Sequence, residues 1–215
     1  MFLIGNWKMH GSFHEVSSFI EKTESTLLGV TPVLCFPFPY LKDFASLLHT
    51  KGYSLGAQDC SHEAIGPFTG QVSASMLKDV GCRYVIVGHP ERACFDTDEH
   101  VYKKAERALE AGLRPIICTT EVNNIEQRAP LSQECLIAYE PAVGSDSLPS
   151  YLEQAWHQLK KRVNSRPILY GGGVTAENFE TIAQWFDGFL VGRASLDASV
   201  WNKLLRKMVS RKQRA

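Results

Sequence analysis

The sequence carries no excess of charge, because 23 lysines and arginines are matched by 23 aspartates and glutamates. Without a net field, nucleic acid and anionic membrane are not expected partners. The basic C-terminal stretch KMVSRKQRA closes a helical pattern, where it complements the helix dipole and helps solubility. No apolar run approaches the roughly 20 residues that a membrane-spanning helix needs. The opening MFLIGNWKMH has neither the basic region nor the apolar length of a secretory signal. Six cysteines, Cys35, Cys60, Cys82, Cys94, Cys118 and Cys135, form no C-x-x-C pair and follow no regular spacing. Several sit in apolar runs and read as buried free thiols in a reducing cytosol, so a cytoplasmic protein is expected. Nucleotide signatures are missing too: there is no G-x-x-x-x-G-K-[ST], and Gly171-Gly172-Gly173 lacks the G-x-G-x-x-G spacing. His62-Glu63 is not part of H-E-x-x-H, and His89-Pro90-Glu91 has no accompanying P-C-x-x-C. Neither a metal site nor a cofactor is expected.

What remains is the composition of an ordinary globular protein, 44% hydrophobic and 21% charged, with no linker or low-complexity segment to divide residues 1–215 into domains. Short, nearly continuous apolar runs recur along it. They are FLIGNW (2–7), PVLCF (32–36), YSLGAQ (53–58), YVIVGH (84–89), PIICTT (115–120), CLIAYE (135–140), PILYGG (167–172) and FLVG (189–192). Continuous rather than alternating, they suit parallel strands covered on both faces. Between them lie helical signals. Ser12-Phe13-His14-Glu15 has the spacing of a capping box before Val16, Phe19 and Ile20. Val101, Ala105, Ala108 and Leu109 make one apolar stripe; Leu152, Ala155, Trp156, Leu159 and Val163 make another. Thr175 is expected to open a seventh helix and Trp201 to Val209 to form the last. Only NNIEQRAP separates the fifth and sixth strands, so the fifth helix is reduced to a turn or two. Eight strand–helix units of about 27 residues each predict a compact eight-stranded parallel α/β barrel, with a doubly wound open sheet left open by periodicity alone.

In such barrels chemistry collects at the C-terminal ends of the strands. Asn6 and Lys8 end the first run, His89 the fourth and Glu140 the sixth; Gly171-Gly172-Gly173 and Gly192-Arg193 end the last two. Each has a plain reading: a snorkelling surface lysine, a turn histidine, a strand-end charge, tight turns that need glycine. Their common position on one rim makes a carboxylate base, an imidazole, a cation and two glycine-bearing turns a coherent catalytic set.

The same segments resemble the triosephosphate isomerase family over nearly the whole chain. GNWKMH (5–10) is similar to its first-strand motif, VGHPER (87–92) to its V/L-G-H-S-E-R motif and IAYEP (137–141) to the motif of its general base. AQDCSHEAIGPFTGQVS (57–73) resembles its third loop, while YGGGV (170–174) and LVGRASL (190–196) look like its phosphate-binding turns. The resemblance implies a (β/α)8 TIM barrel that interconverts glyceraldehyde 3-phosphate and dihydroxyacetone phosphate through an enediolate. It implies Glu140 as base, neutral His89 as electrophile with Glu91 supporting it, Lys8 as fixed charge and Asn6 as an orienting group. Gly144, Ser145, Gly172, Gly173, Gly192 and Arg193 fall on phosphate-binding positions. Thr69 and Met9 fall on the contact surface of a homodimer.

The chain departs from the family at several points. Pro90 and Gly173 replace serines, Ala93 stands where a second arginine is common, and Arg193 replaces the second glycine of the eighth turn. In the sixth loop, E-P-A-V-G-S-D is two residues shorter between glutamate and glycine than E-P-V-W-A-I-G, lacks the tryptophan and carries Asp146 close to the phosphate position. A carboxylate there opposes a dianion unless it faces solvent. Two alternatives therefore accompany the leading one: an isomerase of another small sugar phosphate, such as a tetrose phosphate, and a barrel that binds a phosphorylated ligand with weakened catalysis.

Overall fold

The computed structural model describes residues 1–25, 29–130, 132–141 and 149–214. Among these, strands and helices alternate in the order β1 (Phe2–Asn6), α1 (Phe13–Lys22), β2 (Thr31–Phe36), α2 (Leu41–Thr50), β3 (Ser54–Ala57), α3 (Ala74–Asp79), β4 (Tyr84–Val87) and α4 (Asp98–Glu110). There follow β5 (Arg114–Thr119), α5 (Ile125–Arg128), β6 (Leu136–Tyr139), α6 (Pro149–Arg162), β7 (Ile168–Tyr170), α7 (Phe179–Ile182), β8 (Gly188–Val191) and α8 (Ala198–Arg214). All strands are parallel, neighbours in sequence pair, and β8 returns to pair with β1. The sheet is a closed barrel rather than an open doubly wound sheet.

Strand periodicity divides the core in two. Ile4, Val33, Cys35, Ile86, Ile116, Cys118, Leu136, Ala138, Leu169 and Leu190 fill the barrel interior. Their neighbours Leu3, Leu34, Val85, Ile117, Ile137, Ile168 and Phe189 belong to a second cluster shared with the helices, among them Val16, Phe19, Leu159 and Trp201. Each Leu or Ile buried in this way contributes roughly 1.5–3 kcal/mol. The alternation also aims the rim. Ile4, Ala138, Leu169 and Leu190 point inward, so Asn6, Glu140, Gly171 and Gly192, two residues further on, face the barrel mouth.

The local signals operate as read. Ser12 Oγ accepts from the Glu15 N–H at 3.3 Å and Glu15 Oε2 accepts from the Ser12 N–H at 2.7 Å, completing the capping box. The fifth helix is the single turn α5 preceded by a 3-10 turn at Val122–Asn124. The seventh differs from expectation: Thr175 opens no helix. Its N–H goes to Asn178 Oδ1 at 2.8 Å, and its Oγ1 accepts from the N–H groups of Glu177 and Asn178. These side-chain bonds compete with a helical first turn, and α7 starts only at Phe179. Five cysteines are buried free thiols, while Cys94 is exposed.

Candidate active site

Glu140 sits one residue beyond β6, its backbone N–H bonded to Thr119 O of β5 at 2.9 Å. Its side chain is 15% exposed, and Oε2 lies 3.3 Å from His89 Nε2. Oε1 is buried and accepts no hydrogen bond among the described residues. A carboxylate oxygen withheld from water without a donor is costly in a purely structural role, which makes it available as a base. Beneath it Cys118 is fully buried, its thiol held well above the usual range by burial first and by the Glu140 carboxylate second. That thiol is a protonated neighbour, not a nucleophile.

His89 is off the inward register of β4. Gly88, at φ 68°, turns the chain and brings the imidazole over the mouth. A Cβ at Gly88 would lie 2.7 Å from both Arg128 Nη2 and Val101 Cγ1, so the turn requires glycine for space as well as for dihedral. Arg128 then donates to Gly88 O at 3.1 Å and pairs with Asp98 at 3.2 Å, holding the turn from behind. His89 Nδ1 accepts the Glu91 N–H at 3.2 Å. A ring nitrogen that accepts carries no proton, so the imidazole is neutral and its proton is on Nε2, facing Glu140.

Lys8 completes the group. It has φ 52°, an uncommon conformation for a residue with a side chain. Its N–H donates to Asn6 Oδ1 at 3.0 Å, and its carbonyl accepts from Gln58 Nε2 at 2.9 Å. Gln58 also donates to Cys35 O at 2.9 Å, tying the first rim loop to the third. Lys8 Nζ is ion-paired with Glu91 Oε1. Burial opposes ionisation of Glu91, but the Lys8 hydrogen bond leads the effects that outweigh it and hold its carboxyl below the usual range. Asn6 is buried; with Oδ1 engaged by Lys8 N, its Nδ2 remains as a donor.

Both glycine turns touch this group. Gly171 N donates to Tyr139 O at 2.8 Å, and a Cβ there would lie 3.2 Å from Glu140 Cδ and closer still to Cγ. A Cβ at Gly192 would lie 3.5 Å from Lys8 Cε. Among the described residues the N–H groups of Gly172, Gly173, Arg193 and Ala194 find no acceptor, and these turns leave the adjacent strands β7 and β8. Free amides next to a carboxylate, a neutral imidazole and an ammonium suit a small anionic carbonyl compound. Gly144, Ser145 and Asp146 of the sixth loop lie outside the described residues.

Thr69 and Met9 are at the surface. Met9 is 95% exposed and Ile65 90%. Thr69 is at the exposed tip of a loop whose base is closed by Ser61 N to Val72 O at 2.8 Å. Behind the loop, Lys104 Nζ bonds Asp59 and Asp96 at 2.8 Å each, and Arg92 Nε lies 2.9 Å from Asp59 and 3.2 Å from Asp96. With Ala93 in place of an arginine, Arg92 and Lys104 carry the ion pairs of this region. The sequence alone assigns no part in the site to Gln58, Cys118 or Arg128; YSLGAQ reads as a strand, and nothing local shows that its last residue grips Lys8.

The chain is similar to known proteins over most of its length. The family model described as triosephosphate isomerase matches residues 1–208. The triosephosphate isomerase of Ralstonia nicotianae is 40% identical over 237 residues, covering 91% of this chain and 94% of its own. That of Wolbachia sp. subsp. Brugia malayi is 34% identical, covering 96% and 97%. The crystal structure of triosephosphate isomerase from Bartonella henselae superposes with a TM-score of 0.82 at 28% identity, over 97% of this chain and 98% of that one. The chain belongs to the triosephosphate isomerase family, cofactor-independent aldose–ketose isomerases.

Proposed function

We propose that this chain interconverts D-glyceraldehyde 3-phosphate and dihydroxyacetone phosphate with Glu140 as the base, His89 as the electrophile, and Lys8 and Asn6 as the groups that fix the reacting oxygens. The observation that carries the assignment is the pairing of Glu140 Oε2 with the proton-bearing Nε2 of a neutral His89 at 3.3 Å. Triosephosphate isomerases are the standard illustration of such a pair. Starting from the aldehyde, the C2 proton passes to Glu140. The carbonyl oxygen on C1 takes up negative charge against His89 Nε2–H, Asn6 Nδ2–H and Lys8 Nζ. The hydroxyl proton moves from O2 to O1 at the imidazole edge, and Glu140 returns its proton to C1. One carboxylate serves both carbons, and no electrons leave the substrate. Glu91 has a positioning role: its N–H keeps Nδ1 unprotonated and its carboxylate holds Lys8.

The phosphate is assigned to the turns at Gly172, Gly173, Gly192 and Arg193, whose Gly172, Gly173 and Arg193 amides find no acceptor among the described residues, and to Gly144 and Ser145 of the sixth loop. Binding at this remote group contributes to lowering the barrier at the reacting carbons. The test is turnover of both triose phosphates in a coupled assay, with Glu140→Ala as the control. Loss of a general base is worth about 10²–10⁴-fold. Turnover in the wild type no higher than in the variant would sink the assignment.

The protein is read further as a homodimer. Met9, Ile65, Phe68, Met76 and Phe95 are large apolar side chains exposed in the single chain, and Met9, Phe68 and Thr69 occupy the two loops assigned to the contact. Sedimentation at micromolar concentration should give twice the mass of the chain; a monomer refutes it. The six unpaired cysteines fit a reducing compartment, and the cytoplasm is the proposed location.

A further inference from the structure

We propose that the Arg193 guanidinium is a second anchor for the substrate's phosphate, added in this chain to the main-chain cradle where the family pattern has glycine. The proposal rests on the reading of the site as that of a triosephosphate isomerase.

Position is the first argument. Leu190 points into the barrel, Gly192 therefore faces the mouth, and a Cβ there would lie 3.5 Å from Lys8 Cε. Arg193 is the next residue, at the start of the 3-10 turn Arg193–Ser195. The Ser195 N–H is used by Gly192 O at 2.8 Å and the Leu196 N–H by Arg193 O at 3.1 Å, which leaves the N–H groups of Arg193 and Ala194 for an anion. An anion held by these amides is beside the Arg193 side chain. The backbone accommodates that side chain without strain, because Arg193 is not among the residues at positive φ.

Availability is the second. Arg92 and Arg128 are occupied, the one with Asp59 and Asp96, the other with Gly88 O and Asp98. Arg193 is exposed, and its guanidinium makes no hydrogen bond or ion pair among the described residues.

Charge is the third. Lys8 is matched by Glu91, and Glu140 adds a negative charge, so these three side chains sum to one negative charge where a phosphate monoester dianion has to bind. Main-chain amides offer partial charges only. Arg193 brings the sum to zero, and its planar fork meets two phosphate oxygens at once. It strengthens the preference for dianionic over uncharged substrates, and this part of the preference is screened by salt.

The experiment compares wild type, Arg193→Gln, Arg193→Lys and Arg193→Gly on glyceraldehyde 3-phosphate and on unphosphorylated glyceraldehyde, with inorganic phosphate as competitive inhibitor. Arg193→Gln is expected to raise KM for the phosphorylated substrate and Ki for phosphate about tenfold, with kcat reduced less than about threefold. Arg193→Lys should recover part of the loss. The loss should be smaller on glyceraldehyde and should shrink as salt is raised. Wild-type KM and Ki in Arg193→Gln, or equal losses on both substrates, overturn the anchor. Absence of triose phosphate turnover in the wild type overturns instead the reading of the site on which the anchor rests.

Discussion

Gly171→Ala adds one methyl group where it should move the proposed base and little else. Gly171 faces the barrel mouth from β7, and a Cβ there would lie 3.2 Å from Glu140 Cδ, 3.5 Å from Oε2 and inside 3.0 Å of Cγ. Contacts under 3.0 Å do not persist, and ordinary ones begin near 3.4 Å. Neither backbone yields readily, because Gly171 N is bonded to Tyr139 O at 2.8 Å and Glu140 N to Thr119 O at 2.9 Å. Gly171 is not at positive φ, so alanine brings no dihedral strain. The relief is rotation of the Glu140 side chain, which shifts its carboxylate by about 1 Å. A displacement of that size costs about 10²-fold in rate, or about 2.7 kcal/mol of barrier. Stability should fall by only about 1 kcal/mol, the low end for overpacking, because a side chain and not the core gives way. The phosphate turn keeps its amides, so KM should change less than about threefold. Steady-state kinetics on glyceraldehyde 3-phosphate beside urea unfolding separates the two effects. A kcat within twofold of wild type would refute the argument that this contact sets the position of the base.

Three further perturbations test the supports. Gln58→Ala removes two bonds from the first rim loop, one to Lys8 O and one to Cys35 O, each at 2.9 Å. With Lys8 no longer held at φ 52°, kcat/KM should drop about 10- to 100-fold and stability by about 1–2 kcal/mol, and wild-type kinetics would exclude a positioning role. Lys104→Ala leaves Asp59 and Asp96 with Arg92 alone in a region where burial already pushes the Asp59 carboxyl up. Chemical denaturation should show a loss of about 3–5 kcal/mol; less than about 1 kcal/mol would mean the lysine is dispensable. For Glu91 the folded pKa is depressed, so its stabilising contribution is present above the unfolded carboxylate range and disappears as pH falls through the folded value. The stability gap between wild type and Glu91→Gln should be small, because this side chain is 59% exposed, and should close below about pH 4. A gap that widens toward acid contradicts the Lys8–Glu91 pairing.

Much of this molecule is legible in one dimension because its chemistry hangs on strand ends. Parallel strands buried on both faces leave continuous apolar runs, and the last polar residue of such a run is delivered to the rim by the two-residue period. That is how Asn6 and Glu140 can be read from FLIGN and LIAYE. The capping box at Ser12 is equally local, since both of its bonds lie within four consecutive residues. Thr175 marks the limit of such reading: its side chain favours a turn as readily as a helix start, and the choice fell to the turn.

The remainder depended on closure of the barrel. Periodicity alone allowed an open sheet, and only the pairing of β8 with β1 brings the eighth turn round beside Lys8. Gln58 holds Lys8 across 50 positions of sequence, Arg128 holds the turn before His89 across 40, and Lys104 finds Asp59 across 45. The neutral state of His89 follows from a backbone N–H aimed at Nδ1, a geometry that exists once Gly88 has turned the chain. Residue types and their order specify strands, caps and the ends of strands because those are contests between neighbours. Which rim residues touch, and which of them is charged, is set by hydrogen bonds between loops that only the folded sheet makes neighbours.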